Sequence, residues 1–163
     1  MRHAATISIF LISLTICKAQ SDYVVMQDQK IIDELISTYQ ILPESTTTTS
    51  LSTAELGVVK ALLTKCIKDY NDQMKDGFKK RGEKKRHARM YQIMNLSNYK
   101  VQIVPYINEK GEKEVWINGF CDNFSANWRT EIVQVFDGGN CYFRVRLNIS
   151  NNSCMTVGTN GYA

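Results

Sequence analysis

The apolar residues of this chain change their spacing once, and that change limits the fold more than any other feature. Leu56, Val59, Leu63, Cys66, Ile67 and Tyr70 recur at three- and four-residue steps, which lays one apolar stripe along a helix. Ser52 followed by Glu55 is a capping-box pair at its start, each side chain placed to satisfy a backbone N–H that the helix leaves open. The pattern predicts a helix from about Thr53 to Lys75, with Gly77 as its stop.

Beyond Tyr99 the period becomes two. Tyr99, Val101, Ile103, Pro105 and Ile107 share one strand face, and Val115, Ile117, Gly119 and Cys121 share a face in the next strand. Glu131 to Phe136 is apolar on both sides, as in a strand covered twice, and Cys141, Phe143, Val145, Leu147 and Ile149 alternate with Tyr142, Arg144, Arg146 and Asn148. Met155 to Thr159 supplies a short last strand. Turns fall at Asn108 to Lys113, at Asp137-Gly138-Gly139-Asn140 and at Ser150 to Ser153. Pro105 has no N–H to give a ladder, so its strand is an edge or carries a bulge there. One long helix and a meander of four to five antiparallel strands bury each other when the sheet curls around the stripe, an α+β architecture.

The first residues concern destination. A basic head (Met1, Arg2, His3), an apolar run from Ala4 to Ile16 and a closing Ala19 have the build of a secretory signal peptide. The run is shorter than the roughly 20 apolar residues of a membrane-spanning helix. Cys17 after that run offers a lipoprotein anchor as the alternative, against which stands the bulk of Ile16. Residues 1–19 are therefore read as the signal and residues 20–50 as an N-terminal segment. That segment holds a short amphipathic helix from about Asp28 to Tyr39 and a Thr/Ser-rich linker, and residues 51–163 form the helix-plus-sheet domain. Without Arg2 and Lys18 the chain keeps 18 basic against 16 acidic residues, a balance of +2 that by itself names no polyanionic partner.

Four cysteines remain after cleavage, Cys66, Cys121, Cys141 and Cys154, and three pairings are open to them in an oxidising compartment. With a strand at 131–136 between them, Cys121 and Cys141 fall at opposite ends of a meander, so no bond between those two is expected and Cys66 and Cys121 are read as buried thiols. Zinc-type spacing is missing, and His87 is the one histidine outside the signal.

Val115-Trp116-Ile117-Asn118-Gly119-Phe120-Cys121, Asp137-Gly138-Gly139-Asn140-Cys141-Tyr142-Phe143 and Asn160-Gly161-Tyr162-Ala163, in that order after a helix, resemble a group of small exported bacterial proteins of unknown function. The resemblance covers about residues 50–163 and implies a fold similar to the cystatin and nuclear-transport-factor-2-like superfold, with no activity attached. Gly119 stands where the group often has a cysteine. Gln134-Val135-Phe136-Asp137-Gly138 approaches the inhibitory Gln-x-Val-x-Gly of cystatins, but it carries Phe136 where valine belongs. It also sits outside the hairpin after the first strand, Asn108 to Lys113, where the resemblance would put that loop. Fold likeness does not carry function with it.

Catalysis through a Ser–His or Cys–His pair needs a histidine held beside its nucleophile, and His87 lies in a charged segment without an anchor. Asp122, Glu131 and Asp137 flank strands and are the candidates for a carboxylate pair; strand-end acids ordinarily face water. Gly138-Gly139 reads as a hairpin turn, with no phosphate cradle and no cofactor implied. Lys75 to Arg89 carries eight basic residues against Asp76 and Glu83, a local charge of +6 that leaves −4 elsewhere in the mature chain. Lys79, Lys80, Arg81, Lys84, Lys85 and Arg86 are its candidate polyanion contacts, set against the plainer reading of a solvated connection between helix and sheet. Only Phe78 and Tyr91 accompany them, so specific nucleic-acid binding is not expected. Of the aromatic cluster Trp116, Phe120, Phe124 and Trp128, Trp116 or Phe120 is assigned to the core and Trp128 is left open. Asn95, Asn123, Asn148 and Asn151 begin Asn-x-Ser sequons, which the bacterial resemblance leaves bare.

The sequence thus points to an exported, non-enzymatic binding or interaction module with a protein or glycan partner. A carboxylate enzyme with a cone-like pocket is the alternative, and a cystatin-type inhibitor the second. If residues 1–19 are a signal, mass spectrometry of exported protein will find a chain beginning near Gln20; a diacylated Cys17 would establish the lipoprotein route instead.

Overall fold

The computed structural model describes residues 22–122 and 126–162; the predicted signal, Cys17, Asn123 and Phe124 lie outside the described residues. After β1 (Tyr23–Val25), α1 (Gln29–Asp33) runs into a π-helical turn over Glu34–Thr38, and β2 (Thr47–Thr48) follows. Next come α2 (Thr53–Lys80), α3 (Lys85–Tyr91), β3 (Lys100–Ile107), β4 (Lys113–Phe120), β5 (Tyr142–Asn148) and β6 (Ser153–Thr159). The fold is mixed α and β, with one long helix and a six-stranded open sheet in the order β1-β3-β4-β5-β6, β2 also pairing with β3.

α2 starts where its cap dictates: Ser52 Oγ accepts from the Glu55 N–H, and Glu55 Oε2 accepts from the Ser52 N–H. It runs past the predicted end at Lys75, with Gly77 inside it, because the signal that ends it is Gly82 at φ +70°. There the Gly82 N–H donates to the Lys79 carbonyl and the Glu83 N–H to that of Phe78, the two closing bonds of a Schellman motif. The stripe Val59, Leu63, Cys66 and Ile67 is buried against Tyr99, Val101, Ile103, Val115, Ile117, Phe143, Val145 and Leu147 on the inner sheet face. Gly119 belongs to this packing, since a Cβ there would collide with the Phe143 ring. Lys113, entering β4, clamps the helix start through a 2.6 Å ion pair with Glu55.

The sheet is six-stranded where four or five strands were expected, and β1 runs parallel to β3. The Thr/Ser-rich stretch expected as a linker supplies β2, which pairs Thr47 and Thr48 with Ile107 and Tyr106. Pro105 falls between the β1 and β2 pairings. Val101 N–H bonds Asp22 and Ile103 C=O bonds Met26 on that side, so by the two-residue repeat the Pro105 nitrogen faces the gap, where no ladder partner is needed.

The outer face of the sheet is covered as well. Ile31, Ile32, Leu35 and Leu42 of the N-terminal segment bury Val104, Tyr106 and Trp116, while Trp128 and Val133 pack with Phe120 and Tyr142. Trp116, Phe120 and Trp128 are all core residues.

Two expectations fail together here. Residues 131–136 are not a strand; they run irregularly across the outer face, and their backbone is satisfied by side chains instead of by a neighbouring strand. Gln102 Nε2 donates to the carbonyls of Trp128 and Glu131, each at 2.6 Å. The Val133 N–H donates to Gln102 Oε1 at 3.1 Å, and Asn118 Nδ2 donates to the Val133 carbonyl at 2.8 Å. Without that strand the parity of the meander changes, and the end of β4 lies beside the start of β5. Phe120 pairs with Tyr142, so Cys121 meets Cys141 with Cα atoms 5.1 Å apart, and the two form the disulfide that sequence parity had excluded. Cys66 is likewise no free thiol: it bonds Cys154, Cα to Cα 5.9 Å, and ties α2 to β6.

Non-reducing peptide mapping will return Cys66–Cys154 and Cys121–Cys141. Replacing Cys66 and Cys154 by alanine will cost about 2–4 kcal/mol in urea denaturation, because that bond closes the longer loop of the two; a Cys66–Cys121 linkage would contradict the packing described.

Candidate functional site

The six basic candidates surround the turn between two helices. Lys79 and Lys80 end α2, Arg81 caps it, Lys84 precedes α3, and Lys85 and Arg86 begin α3. Arg81 lies over the Phe78 ring at 4.5 Å and pairs with Glu83 at 2.6 Å, so its charge is already engaged. Lys79, Lys80, Lys84 and Arg86 are exposed on this tip, without an ion pair among the described residues.

The three candidate acids are not brought together as a pair. Asp122 accepts from the Tyr142 hydroxyl at 2.7 Å, Glu131 from Asn127 Nδ2 at 3.3 Å, and Asp137 is exposed. Cys121, Asp122 and Cys141 do converge, yet with the two sulfurs joined no thiolate is left to hold a metal. Phe136 is 84% exposed, while its neighbours are committed: Gln134 Oε1 and the Val135 carbonyl both accept from Arg144. In the Asn108–Lys113 turn, Asn108 Oδ1 accepts from the N–H groups of Lys110 and Glu112 and Gly111 adopts φ +77°, a self-bonded hairpin end.

The remaining sequence motifs turn out to be fastenings. Gly138 and Gly139 take φ +82° and +58°, and side chains at these positions would strike the Tyr142 and Tyr162 rings respectively. Asn140 Nδ2 donates to the carbonyls of Arg89 and Gln92, Asn160 Nδ2 to those of Val135 and Asp137, and the Tyr162 hydroxyl to that of Met90. The chain terminus, the β4–β5 connection and α3 are thereby laced together.

What the sequence reading missed is a polar pocket of about 400 Å³ where the β3–β4 and β5–β6 hairpins meet Pro43. Its floor is Glu114, only 3% exposed. Glu114 Oε2 accepts from the Tyr106 hydroxyl at 2.6 Å, and Oε1 accepts from Asn108 Nδ2 at 2.6 Å. Arg146 donates to the Tyr106 oxygen through Nε at 3.2 Å and Nη2 at 3.1 Å, and stands 4.0 Å from the carboxylate. Asn148 reaches Glu112 at 3.0 Å, and Asn151, Ser153 and Met155 complete the rim. Burial, followed by the hydrogen bond to Glu114, pushes the Tyr106 phenol well above its usual range, so it stays a donor throughout the physiological pH range. The signal for this site was present in the alternation of β5, which put Arg144, Arg146 and Asn148 on one face. Only the N-terminal cover makes that face a pocket.

No protein-family model, curated protein or solved structure matches this chain.

Tyr106→Phe removes the donor to a buried carboxylate and the acceptor of Arg146 at once, so it will lower unfolding free energy by about 1–3 kcal/mol in urea. An unchanged midpoint would mean that the cluster contributes nothing to the fold.

Proposed function

We propose that the protein is an exported, non-enzymatic binding module that holds a neutral, hydroxyl-rich ligand of glycan type in the pocket above Glu114. The observation that carries this reading is that Glu114, the one buried carboxylate of the pocket, has both oxygens engaged from within the protein. Each Glu114 oxygen already accepts a 2.6 Å bond from within the protein, and the Tyr106 proton is committed to it. A general acid or base must present its proton or lone pair to the substrate, whereas these two bonds hold the Glu114 carboxylate against Tyr106 and Asn108. What faces the pocket instead is a set of planar donors and acceptors fixed by their own hydrogen bonds: Asn108, Glu112, Arg146 and Asn148. Pockets of this kind orient a polar ligand without reacting with it. Three acids, Glu109, Glu112 and Glu114, against Lys110 and Arg146 leave the lining nearly balanced, which favours a neutral ligand over an ion. The signal-like start and the two disulfides support an oxidising destination, and the likeness to small exported bacterial proteins agrees with it.

A pocket enzyme is the second reading, because Glu114 is a buried carboxylate in a cavity. Titration of the exported chain with a panel of mono- and oligosaccharides, followed by NMR, separates the two. Binding will shift signals of pocket residues, Arg146→Met will weaken it about tenfold, and recovered ligand will be chemically unchanged. Turnover that disappears in Glu114→Gln would establish the enzyme instead.

A further inference from the structure

A second cavity, of about 670 Å³, lies between the end of α2 and α3, inside the basic segment. It is within the size range of small-molecule sites, and its walls are firm. Asn140 holds the carbonyls of Arg89 and Gln92, Tyr162 holds that of Met90, and Gln92 Nε2 donates to the Asn71 carbonyl at 3.0 Å. The α3 backbone is therefore pinned in place by these bonds, so the ordering cost of binding falls on side chains rather than on the helix.

The charges of this cleft do not cancel. Two acids line it, and both are taken: Asp72 by Lys68 at 2.9 Å, Glu83 by Arg81 at 2.6 Å and His87 at 3.4 Å. Those hydrogen bonds, Lys68 first for Asp72 and Arg81 first for Glu83, hold both carboxyls below their usual range. Lys75, Lys79 and Arg89 line the same cleft with exposed side chains and no ion pair within 4 Å among the described residues. With Lys68 and Arg81 each cancelling one acid, a surplus of three positive charges faces a cavity whose inner surface is Phe78 and the buried Ala88. The methylene stems of two lysines and an arginine add to that apolar surface while their heads stay in water.

We propose that this cleft binds a single-chain amphiphile with a phosphate monoester head, the phosphate held by Lys75, Lys79 and Arg89 and the chain laid against Phe78 and Ala88. A dianionic head matches three cations that line one cleft, and charge-assisted bonds from a guanidinium and two ammonium groups are the strong class of such contacts. Lys80, Lys84 and Arg86, although exposed on the same tip, do not line the cleft. A polyanion would engage the whole tip, whereas a single head group needs only the three.

Calorimetry with decyl phosphate below its micelle concentration, at about 0.15 M salt where exposed charges beyond roughly 8 Å are screened, tests this. Saturable one-to-one binding is expected, about tenfold or more tighter than inorganic phosphate, with a rise in melting temperature. Lys75→Gln with Lys79→Gln and Arg89→Gln will weaken it about tenfold or more, while Lys80→Gln with Lys84→Gln and Arg86→Gln will leave it within about twofold. Both triple variants lose three charges, so a general loss of positive field would lower them equally and overturn the proposal. Equal affinity for inorganic phosphate, equal binding of decyltrimethylammonium, or a fall in melting temperature on binding would overturn it too. Association with anionic phosphatidylglycerol vesicles without binding of the free amphiphile would assign the charge to a membrane surface instead.

Discussion

Two strands at the centre of this protein are covered on both faces, and most of the remaining structure follows from that. β3 and β4 are buried along nearly their whole length, α2 on one side and the N-terminal segment with residues 126–136 on the other. Polar side chains caught between such layers must find partners or cost several kcal/mol each. Gln102 and Asn118 meet that demand by taking over the backbone of the 128–133 segment, with the Asn118 amide also donating to Gln102 at 2.9 Å. A stretch with no strand partner of its own is thus hydrogen-bonded to the sheet through side chains, and Cys121–Cys141, 20 residues apart in sequence, closes the excursion at its base.

The same logic fastens the far edge. Tyr99, buried in the inner core and edge-on to Phe143 at 4.9 Å, donates its hydroxyl to the Asn140 carbonyl at 2.5 Å. Asn140 then reaches α3, and Tyr162 stacks edge-on against Tyr91, which stacks on Phe78 of α2. A run of aromatic rings and amide side chains therefore joins the terminus to the basic helical hairpin. Residues that looked like the chain's most distinctive motifs spend their polar atoms on this joint, which leaves few of them to meet a ligand.

Legibility in the sequence tracked how local each cause was. Ser52 and Glu55 are three residues apart and act on each other, so the start of α2 could be read directly. The two-residue recurrence of apolar side chains in β3, β4 and β5 marks the face turned to α2, so the inner face was readable, while the burial of the outer face of β3 and β4 was not. Residues 131–136 misled because a doubly covered loop and a doubly covered strand have the same composition; what distinguishes them is Gln102, some thirty residues earlier in sequence. That single error reversed the meander's parity and with it the cysteine pairing. The polar pocket was hidden for a related reason, since Tyr106, Glu114 and Arg146 come from three strands, and Pro43, which helps line it, comes from a segment read as a linker.

The two cavities differ in kind because they lie at opposite ends of the same strand. β5 begins beside Asn140, which holds α3, and ends at Asn148 on the rim of the polar pocket, so seven residues at about 3.3 Å each separate them by roughly 20 Å. Charges so far apart are largely screened from each other at physiological salt. Each cavity must therefore be understood from its own lining. At one end, the buried carboxylate of Glu114 is engaged by Tyr106 and Asn108 and stands 4.0 Å from Arg146, and the proposed neutral polar ligand rests on the hydrogen-bonding groups around it. At the other, Lys68 and Arg81 pair with Asp72 and Glu83, and the proposed anionic ligand rests on the three lining cations that have no ion pair among the described residues, Lys75, Lys79 and Arg89.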